Sequence, residues 1–217
     1  MNILLSDSQI DGKWAYPILK KYIPKDSRVL ILPFGLEGNQ QSDWDSYYSE
    51  HRGMEYFEHI NCFKRYGIAP KQIVWGNYFI DSKEALCEKI KQSDVLFFCG
   101  GQPDLMMKRF KEYRIKKELK RFKGVVLGYS AGAMIQLDSF HLSSKNGLHS
   151  YSGLSYLSGF DIEVHYSKKD RHQNQMIQSM IEKEKKTIYG IGNQGGLIVN
   201  QERIECFGDV TIFESKD

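Results

Sequence analysis

Two kinds of segment alternate along the chain. Short apolar runs rich in β-branched residues are separated by helix-length amphipathic segments, a pattern typical of a sheet covered by helices on both faces. The runs interpreted as strands are Arg28–Phe34, Lys71–Trp75, Asp94–Cys99, Gly124–Leu127 and Phe160–His165. We therefore predict an α/β fold, a three-layer α/β/α sandwich around a mostly parallel sheet.

The segments between and after these runs complete the predicted order of elements. Helices are expected at Tyr47–Tyr66, Ser82–Lys91, Pro103–Phe122, Ala131–Ile135 and Arg171–Lys185. Residues 141–159 are polar and rich in Ser and Gly, so we interpret them as a long loop, which in a compact domain is often functional. Four short strands are expected to close the chain, at Thr187–Gly192, Gly196–Asn200, Arg203–Phe207 and Val210–Phe213.

Length and composition indicate one globular domain over residues 1–217. The chain is 41% hydrophobic and 26% charged, which is ordinary for a globular protein, and its length suits a single core. A net charge of +3 is too small for a nucleic-acid-binding surface. The densest basic stretch, residues 108–123, keeps apolar residues at helical spacing and is interpreted as a solvated helix face.

The start of the chain and the cysteines favour a cytoplasmic protein. Met1–Asp7 has no basic region ahead of a long apolar segment, and no apolar run approaches the roughly 18 residues of a membrane span. Cys62, Cys87, Cys99 and Cys206 form no Cys-x-x-Cys pair, which favours free thiols in a reducing compartment over a zinc site. We expect no nucleic-acid or membrane partner, no metal or cofactor, and either a monomer or a homodimer.

The motif with the clearest chemistry is Gly128-Tyr129-Ser130-Ala131-Gly132. It stands between a buried strand and a helix that begins with small residues. Such an elbow holds the serine hydroxyl out at the carboxyl edge of the sheet, and the glycines avoid collisions with neighbouring elements. The amino terminus of the helix favours developing negative charge. The sequence therefore predicts Ser130 as a nucleophile.

A serine hydroxyl needs a base, and six histidines are available. His165 ends a strand-like segment and is expected to emerge at a sheet edge, as Ser130 does, so it is the predicted base. We interpret the others as ordinary: two on a surface helix, two in the long loop and one on the next helix. In that order they are His51, His59, His141, His149 and His172.

An oxyanion hole needs two backbone donors that are in place before the reaction begins. One is expected to be the N–H of Ala131, directly after the nucleophile. The other is expected in Gly100-Gly101, where a neighbouring strand ends and a backbone without side chains can approach a substrate closely.

Three segments together carry a resemblance to a known family: Cys99–Gln102, Gly128–Ala133 and Asp161–Tyr166. With the elbow and the later histidine in this order, the chain resembles the peptidase E and cyanophycinase family of serine peptidases over most of its length. The resemblance implies a flavodoxin-like sandwich related to class I glutamine amidotransferases, with a serine where those enzymes carry cysteine.

The resemblance also implies roles for individual residues. Ser130 would be the nucleophile, His165 the base, and Gly101 with Ala131 the oxyanion donors. The best known members are dipeptidases that prefer an amino-terminal aspartate, and relatives cut an aspartate–arginine polymer. The expected reaction is therefore cleavage of a small peptide through an acyl-enzyme, with an acidic first residue as one option. No metal is implied.

Two departures from the family pattern affect these expectations. Asn193 stands where members usually carry a Glu or Asp that orients the histidine; an amide oxygen can accept the imidazole N–H but cannot stabilise an imidazolium by charge, so Glu163 is kept as an alternative. Met134 replaces the Asn that follows the elbow in the aspartyl dipeptidases, which weakens the case for aspartate specificity. Arg171 is a candidate partner for an acidic substrate group, and Glu163 is a second candidate substrate-binding residue.

Two other functions remain open from the sequence. A catalytically weak or inactive amidotransferase-like binding protein would fit the uncharged Asn193. An esterase of the α/β-hydrolase type would use an acid such as Asp138 or Asp161 ahead of its histidine. The esterase also needs a histidine near the end of the chain, and the last one here is His172.

Overall fold

The computed structural model describes residues 1–144 and 147–214. The strands are β1 (Asn2–Leu5), β2 (Val29–Leu32), β3 (Ile73–Trp75), β4 (Val95–Phe98), β5 (Val125–Tyr129), β6 (Ser139–Ser144), β7 (Gly147–Ser152), β8 (Phe160–Val164), β9 (Thr187–Asn200) and β10 (Arg203–Phe213). The helices are α1 (Tyr16–Leu19), α2 (Gln41–Tyr48), α3 (Tyr56–Lys64), α4 (Lys83–Lys91), α5 (Pro103–Glu112), α6 (Lys116–Arg121), α7 (Ala131–Met134) and α8 (Arg171–Glu184), with a short 3₁₀ turn at Pro70–Gln72.

The main sheet has the order β10-β9-β1-β5-β4-β2-β3, and β8 pairs with β9 away from this path. The five strands from β1 to β3 in that order are parallel to one another, whereas β9 is antiparallel to both β1 and β10. The predicted mostly parallel α/β sheet is confirmed. Because β1, β5, β4 and β2 all end at one edge, the loops that follow them meet there.

The two faces of the sheet carry separate cores because successive strand residues point to opposite sides. Phe97 packs with the buried residues of α1 and α3, whereas its neighbour Phe98 packs with those of α4, α5 and α6. Both phenylalanines are buried. Helices therefore cover both faces, as the apolar pattern predicts. Within the described ranges, no helix combines the length and the apolar character that crossing a bilayer requires.

Two predicted helices are each divided in the structure. The segment predicted as one helix from Tyr47 to Tyr66 contains the end of α2, an irregular stretch at residues 49–55, and α3. A Cβ on Gly53 would lie 2.5 Å from the carbonyl oxygen of Tyr47, so the chain can fold back there only with glycine. The segment from Pro103 to Phe122 is interrupted at Arg114, whose φ of 53° turns buried Ile115 into the core.

The prediction of a long loop over residues 141–159 is wrong. Most of this segment forms the antiparallel hairpin β6–β7, in which Phe140 pairs with Tyr151 and Leu142 with His149. The rings of Phe140 and Tyr151 stack with centroids 5.7 Å apart, a cross-strand contact that stabilises such pairs. Residues 145 and 146 of the predicted loop lie outside the described residues.

The prediction of four short closing strands is also wrong, because this part of the chain forms the two long strands β9 and β10. The glycines of β9 allow close packing against β10. A Cβ on Gly192 would lie 2.3 Å from the carboxylate of Asp209, and one on Gly195 would lie 2.1 Å from that residue's carbonyl oxygen. β10 bulges between Gly208 and Val210, opposite this part of β9.

A buried ion network joins the hairpin to the main sheet. His141 of β6 bonds through Nδ1 to Asp161 of β8 at 2.6 Å and through Nε2 to Glu184 of α8 at 2.7 Å. The two carboxylates thus lie on opposite sides of the ring, which is the arrangement of a doubly bonded imidazolium. The interpretation of His141 as an ordinary loop histidine is wrong, since its hydrogen bonds to Asp161 and Glu184 raise its pKa against the opposing effect of burial.

We expect His141→Gln to destabilise the protein by about 3 kcal/mol at pH 6, because it leaves the buried Asp161 carboxylate without its cation. A raised folded-state pKa contributes stability that is full below the unfolded value of about 6.5 and is lost as pH rises through the folded value. The difference from wild type should therefore shrink by pH 9 in urea unfolding. The exposed His172→Gln is the control, and a pH-independent difference would contradict the prediction.

Candidate active site

Ser130 lies on a tight turn at which the backbone of α7 packs closely against the sheet. Its φ of 51° and ψ of −120° lie outside the regions that most residues adopt. A Cβ on Gly128 would lie 2.2 Å from the carbonyl oxygen of Gly132, and one on Gly132 would lie 2.1 Å from that of Phe98. The two glycines of the motif are therefore required by the contact of α7 with β4 and β5.

The backbone around Ser130 is tied to the neighbouring strand. The N–H of Ser130 donates to the carbonyl oxygen of Leu5 at 2.9 Å, and the Ser130 carbonyl accepts from Ala133 and Met134. In the described part of the chain, no acceptor receives a hydrogen bond from the N–H of Ala131. The first amide of α7 therefore remains available beside the serine.

The Gly100-Gly101 turn packs directly against the elbow. A Cβ on Gly100 would lie 2.8 Å from the ring of Tyr129 and 3.5 Å from the Cβ of Ser130. Gly101 has a φ of 112°, and a Cβ there would lie 2.4 Å from the carbonyl oxygen of Gly35. Among the described residues, nothing accepts from the N–H of Gly101 either. Two glycines are needed at this turn on steric grounds alone.

Arg109 supports the loop on the other side of this turn. Its guanidinium donates to the carbonyl oxygens of Phe34 at 2.9 Å, Leu36 at 2.7 Å and Gly38 at 2.9 Å. The same group lies 3.8 Å from the ring centre of Tyr78. Arg109 is buried, so interpreting the whole basic stretch as a solvated face is wrong at this position.

His165 follows β8 and is held from two sides. Its backbone N–H donates to the hydroxyl of Ser6 at 3.0 Å, and that hydroxyl donates to the carbonyl oxygen of Ile191 at 2.5 Å. Its ring Nδ1 lies 2.8 Å from Oδ1 of Asn193. An amide oxygen only accepts, so Nδ1 carries the hydrogen and Nε2 of the neutral ring keeps its lone pair.

A cavity of about 490 Å³ opens at this edge of the sheet, and Ser130, His165, Gly100 and Gly101 all line it. Ala131 is buried behind the serine. The structure thus brings most of the predicted site residues to one pocket, with Asn193 bonded to the histidine. Residues that sequence reasoning missed also line it: Ser6, Asp7, Glu37, Tyr47, Tyr48 and Glu55.

Other predicted residues lie elsewhere. Oε1 of Glu163 accepts from Gln173 of α8 at 3.1 Å rather than from the ring of His165. Arg171 is exposed at the start of α8 and does not line the cavity. Asp161 pairs with His141, and Asp138 accepts from the backbone of Ser139. Neither acid of the esterase alternative is therefore bonded to His165.

His59 is not the solvated surface residue that its helix suggests, since it is buried. Its Nδ1 donates to the carbonyl oxygen of Glu55 at 2.8 Å, and its Nε2 faces the hydroxyl of Tyr129 at 3.4 Å. Burial lowers its pKa, so the ring stays neutral. The ring of His59 therefore packs against Tyr129, the residue before Ser130.

A serine on a strand–helix elbow of a mostly parallel α/β sheet, with a histidine in the same pocket, defines a hydrolase of the serine type. Residues 44–207 match the family model of peptidase family S51, and the chain belongs to this family. It is a serine peptidase, as the sequence predicts.

Solved structures share the fold at low sequence identity. A candidate peptidase E protein from Listeria monocytogenes EGD-e is 15% identical, with a TM-score of 0.69 over 94% of this chain and 96% of its own. A peptidase from an acI-B1 Actinobacterium is 14% identical, with a TM-score of 0.59 over 99% of this chain and 90% of its own. No sequence among curated proteins matches the chain.

We expect Glu163→Gln to stabilise the protein at pH 8 by about 1–2 kcal/mol, allowing for the partial exposure of the side chain. Burial raises the pKa of Glu163 to about 7. The folded state therefore holds a proton that the unfolded state releases near pH 4.5, and stability falls as pH rises between these values. Denaturant unfolding at pH 5 and pH 8 measures this effect. Parallel stability curves for wild type and variant would contradict it, and exposed Glu182→Gln is the control.

Proposed function

We propose that the protein cleaves small peptides as a dipeptidase-type enzyme, with Ser130, His165 and Asn193 as its catalytic constellation. The observation that carries this proposal is the orientation of His165. Its Nδ1 is engaged by Asn193 while the ring lines the same cavity as Ser130. This arrangement gives the imidazole the tautomer that a general base requires. A cytoplasmic location is part of the proposal, and the spacing of the cysteines supports it.

The proposed chemistry begins with attack of Ser130 Oγ on the peptide carbonyl carbon. Nε2 of His165 takes the hydroxyl proton as the C–O bond forms, and then returns it to the amine that leaves as the C–N bond breaks. The acyl-enzyme ester is hydrolysed by the same steps in reverse, with water as the nucleophile. The proton count balances over the cycle, so no further reactant is needed.

Two backbone donors are proposed to stabilise the oxyanion of each tetrahedral intermediate. The N–H groups of Ala131 and Gly101 have no acceptor among the described residues, and both belong to turns packed against Ser130. Donors that are already oriented cost no reorganisation during the reaction, which makes such contacts effective. The strained elbow and the glycine turn would therefore serve catalysis directly.

We expect a fluorophosphonate probe to label wild type at Ser130 and to leave Ser130→Ala unlabelled, because only an activated serine reacts with such probes. Gel fluorescence and peptide mass spectrometry give the readout. Ser179→Ala, on the exposed face of α8, is the matched control and should label normally. Equal labelling of wild type and Ser130→Ala would contradict the proposal.

We expect Asn193→Ala to lower kcat roughly 10-fold to 100-fold with little change in KM, because the imidazole loses the contact that orients it. Asn193→Asp should raise kcat at neutral pH, since a carboxylate stabilises the imidazolium by charge. Steady-state hydrolysis of Ala-Ala measures both effects. The exposed neighbour Gln194→Ala is the control, and unchanged kcat in Asn193→Ala would show that another group orients His165.

A further inference from the structure

The walls of the pocket beside Ser130 are acidic. Asp7, Glu37 and Glu55 line the cavity, and no lysine or arginine of the described chain does so. The cavity is located by the serine and the histidine, so these acids do not define the site but set its charge. They arise from three separate segments of the sequence, which converge only in the folded protein.

The three carboxylates have neutral partners. Asp7 accepts from the Ser8 hydroxyl and the Gln9 N–H, both at 3.3 Å, and Glu37 accepts from the Gln102 amide at 2.7 Å. Within residues 1–144 and 147–214, none of the three acids forms an ion pair. Within the described chain, no cationic side chain is therefore paired with these acids.

Of the three acids, Glu55 is the one best placed to bind a ligand. It lines the cavity together with Tyr48 and Tyr129, the residue before the nucleophile, and it is half-buried whereas Glu37 is exposed. Burial, together with the charge of Glu58, raises the pKa of Glu55. A cation in the pocket would offset both effects and favour the ionised carboxylate.

The other pocket walls suit the same kind of ligand. Tyr47, Tyr48 and Tyr129 line the cavity, and aromatic faces attract ammonium and guanidinium groups. A dipeptide brings one α-ammonium group, which can neutralise only one of the three acids. An acidic side chain would add a further negative charge among them, whereas a basic one would be attracted.

We propose that this pocket binds a cationic side chain, that of lysine or arginine, at the first residue of the peptide, with Glu55 as the main specificity-determining residue. The proposal deepens the proposed peptidase function and rests on it. It replaces the aspartate preference that the family resemblance implies, since exposed Arg171 does not reach the cavity lining.

Binding to the Ser130→Ala protein separates this proposal from catalysis. Calorimetry should compare Lys-Ala, norleucine-Ala and Asp-Ala, because norleucine matches the lysine chain without its charge. We expect Lys-Ala to bind at least about 10-fold more tightly than norleucine-Ala, and Asp-Ala to bind most weakly. Equal affinity for Lys-Ala and norleucine-Ala, or tighter binding of Asp-Ala, would overturn the proposal.

Charge-neutral variants in the Ser130→Ala background then test the assignment to Glu55. Glu55→Gln should reduce the lysine-over-norleucine ratio about 10-fold, with a smaller loss of norleucine-Ala binding. Glu58→Gln removes a charge from the adjoining helix α3, outside this cavity, and should keep most of the ratio. Exposed Glu37→Gln provides a second pocket variant if Glu55→Gln does not fold. An unchanged ratio in folded Glu55→Gln, or a larger loss in Glu37→Gln than in Glu55→Gln, would overturn the assignment.

Turnover by the wild type distinguishes the two proposals. Selective binding of Lys-Ala by Ser130→Ala, without hydrolysis of any dipeptide by wild type, would count against the peptidase proposal and support the cationic pocket. Hydrolysis of all three dipeptides with equal kcat/KM would support the peptidase proposal and overturn the cationic pocket. Preferential hydrolysis of Lys-Ala would support both.

Discussion

The close contact between the start of α7 and strands β4 and β5 is the constraint on which the site depends. Carbonyl oxygens stand where Cβ atoms on Gly128 and Gly132 would lie, at 2.2 Å and 2.1 Å, so the helix must leave the sheet immediately. Ser130, midway between the two glycines, adopts an uncommon backbone conformation and lines the pocket. Strand β4 is buried on both faces, with Phe97 in one core and Phe98 in the other. This packing holds β4 in place against α7.

The proposed catalytic site also requires a histidine in the same pocket. Strand β9 positions this histidine in two ways. The second half of β9 pairs with β1, while its first half continues past the end of β1 and carries β8. His165, just after β8, therefore approaches the edge at which Ser130 stands. Ser6 bonds to His165 and to Ile191 of β9, and Asn193 of the same strand meets the ring. One strand thus positions both the backbone and the imidazole of the candidate base.

The remaining walls come from irregular segments. The break between α2 and α3 carries Glu55 to the cavity beside Tyr48, and buried Arg109 holds the loop that presents Glu37. Arg109 makes no ion pair with the cavity acids among the described residues. Its guanidinium instead donates hydrogen bonds to backbone carbonyl oxygens. The pocket consequently combines a rigid nucleophile with acidic walls whose charge is left for a ligand.

Local sequence determined the central alternation of strands and helices, the elbow and its serine, because periodicity and glycine sterics act over a few residues. The pairing of β6 with β7 was also readable in principle, since an Asn-Gly pair between two candidate strand segments is a strong hairpin signal. Strand β1 was not recognised from its four residues. Only the tertiary structure decided that His59 and Arg109 are buried, that β9 is one strand, and that Asp7, Glu37 and Glu55 share a cavity. These outcomes depend on pairing and packing between segments far apart in the chain, which no local pattern encodes.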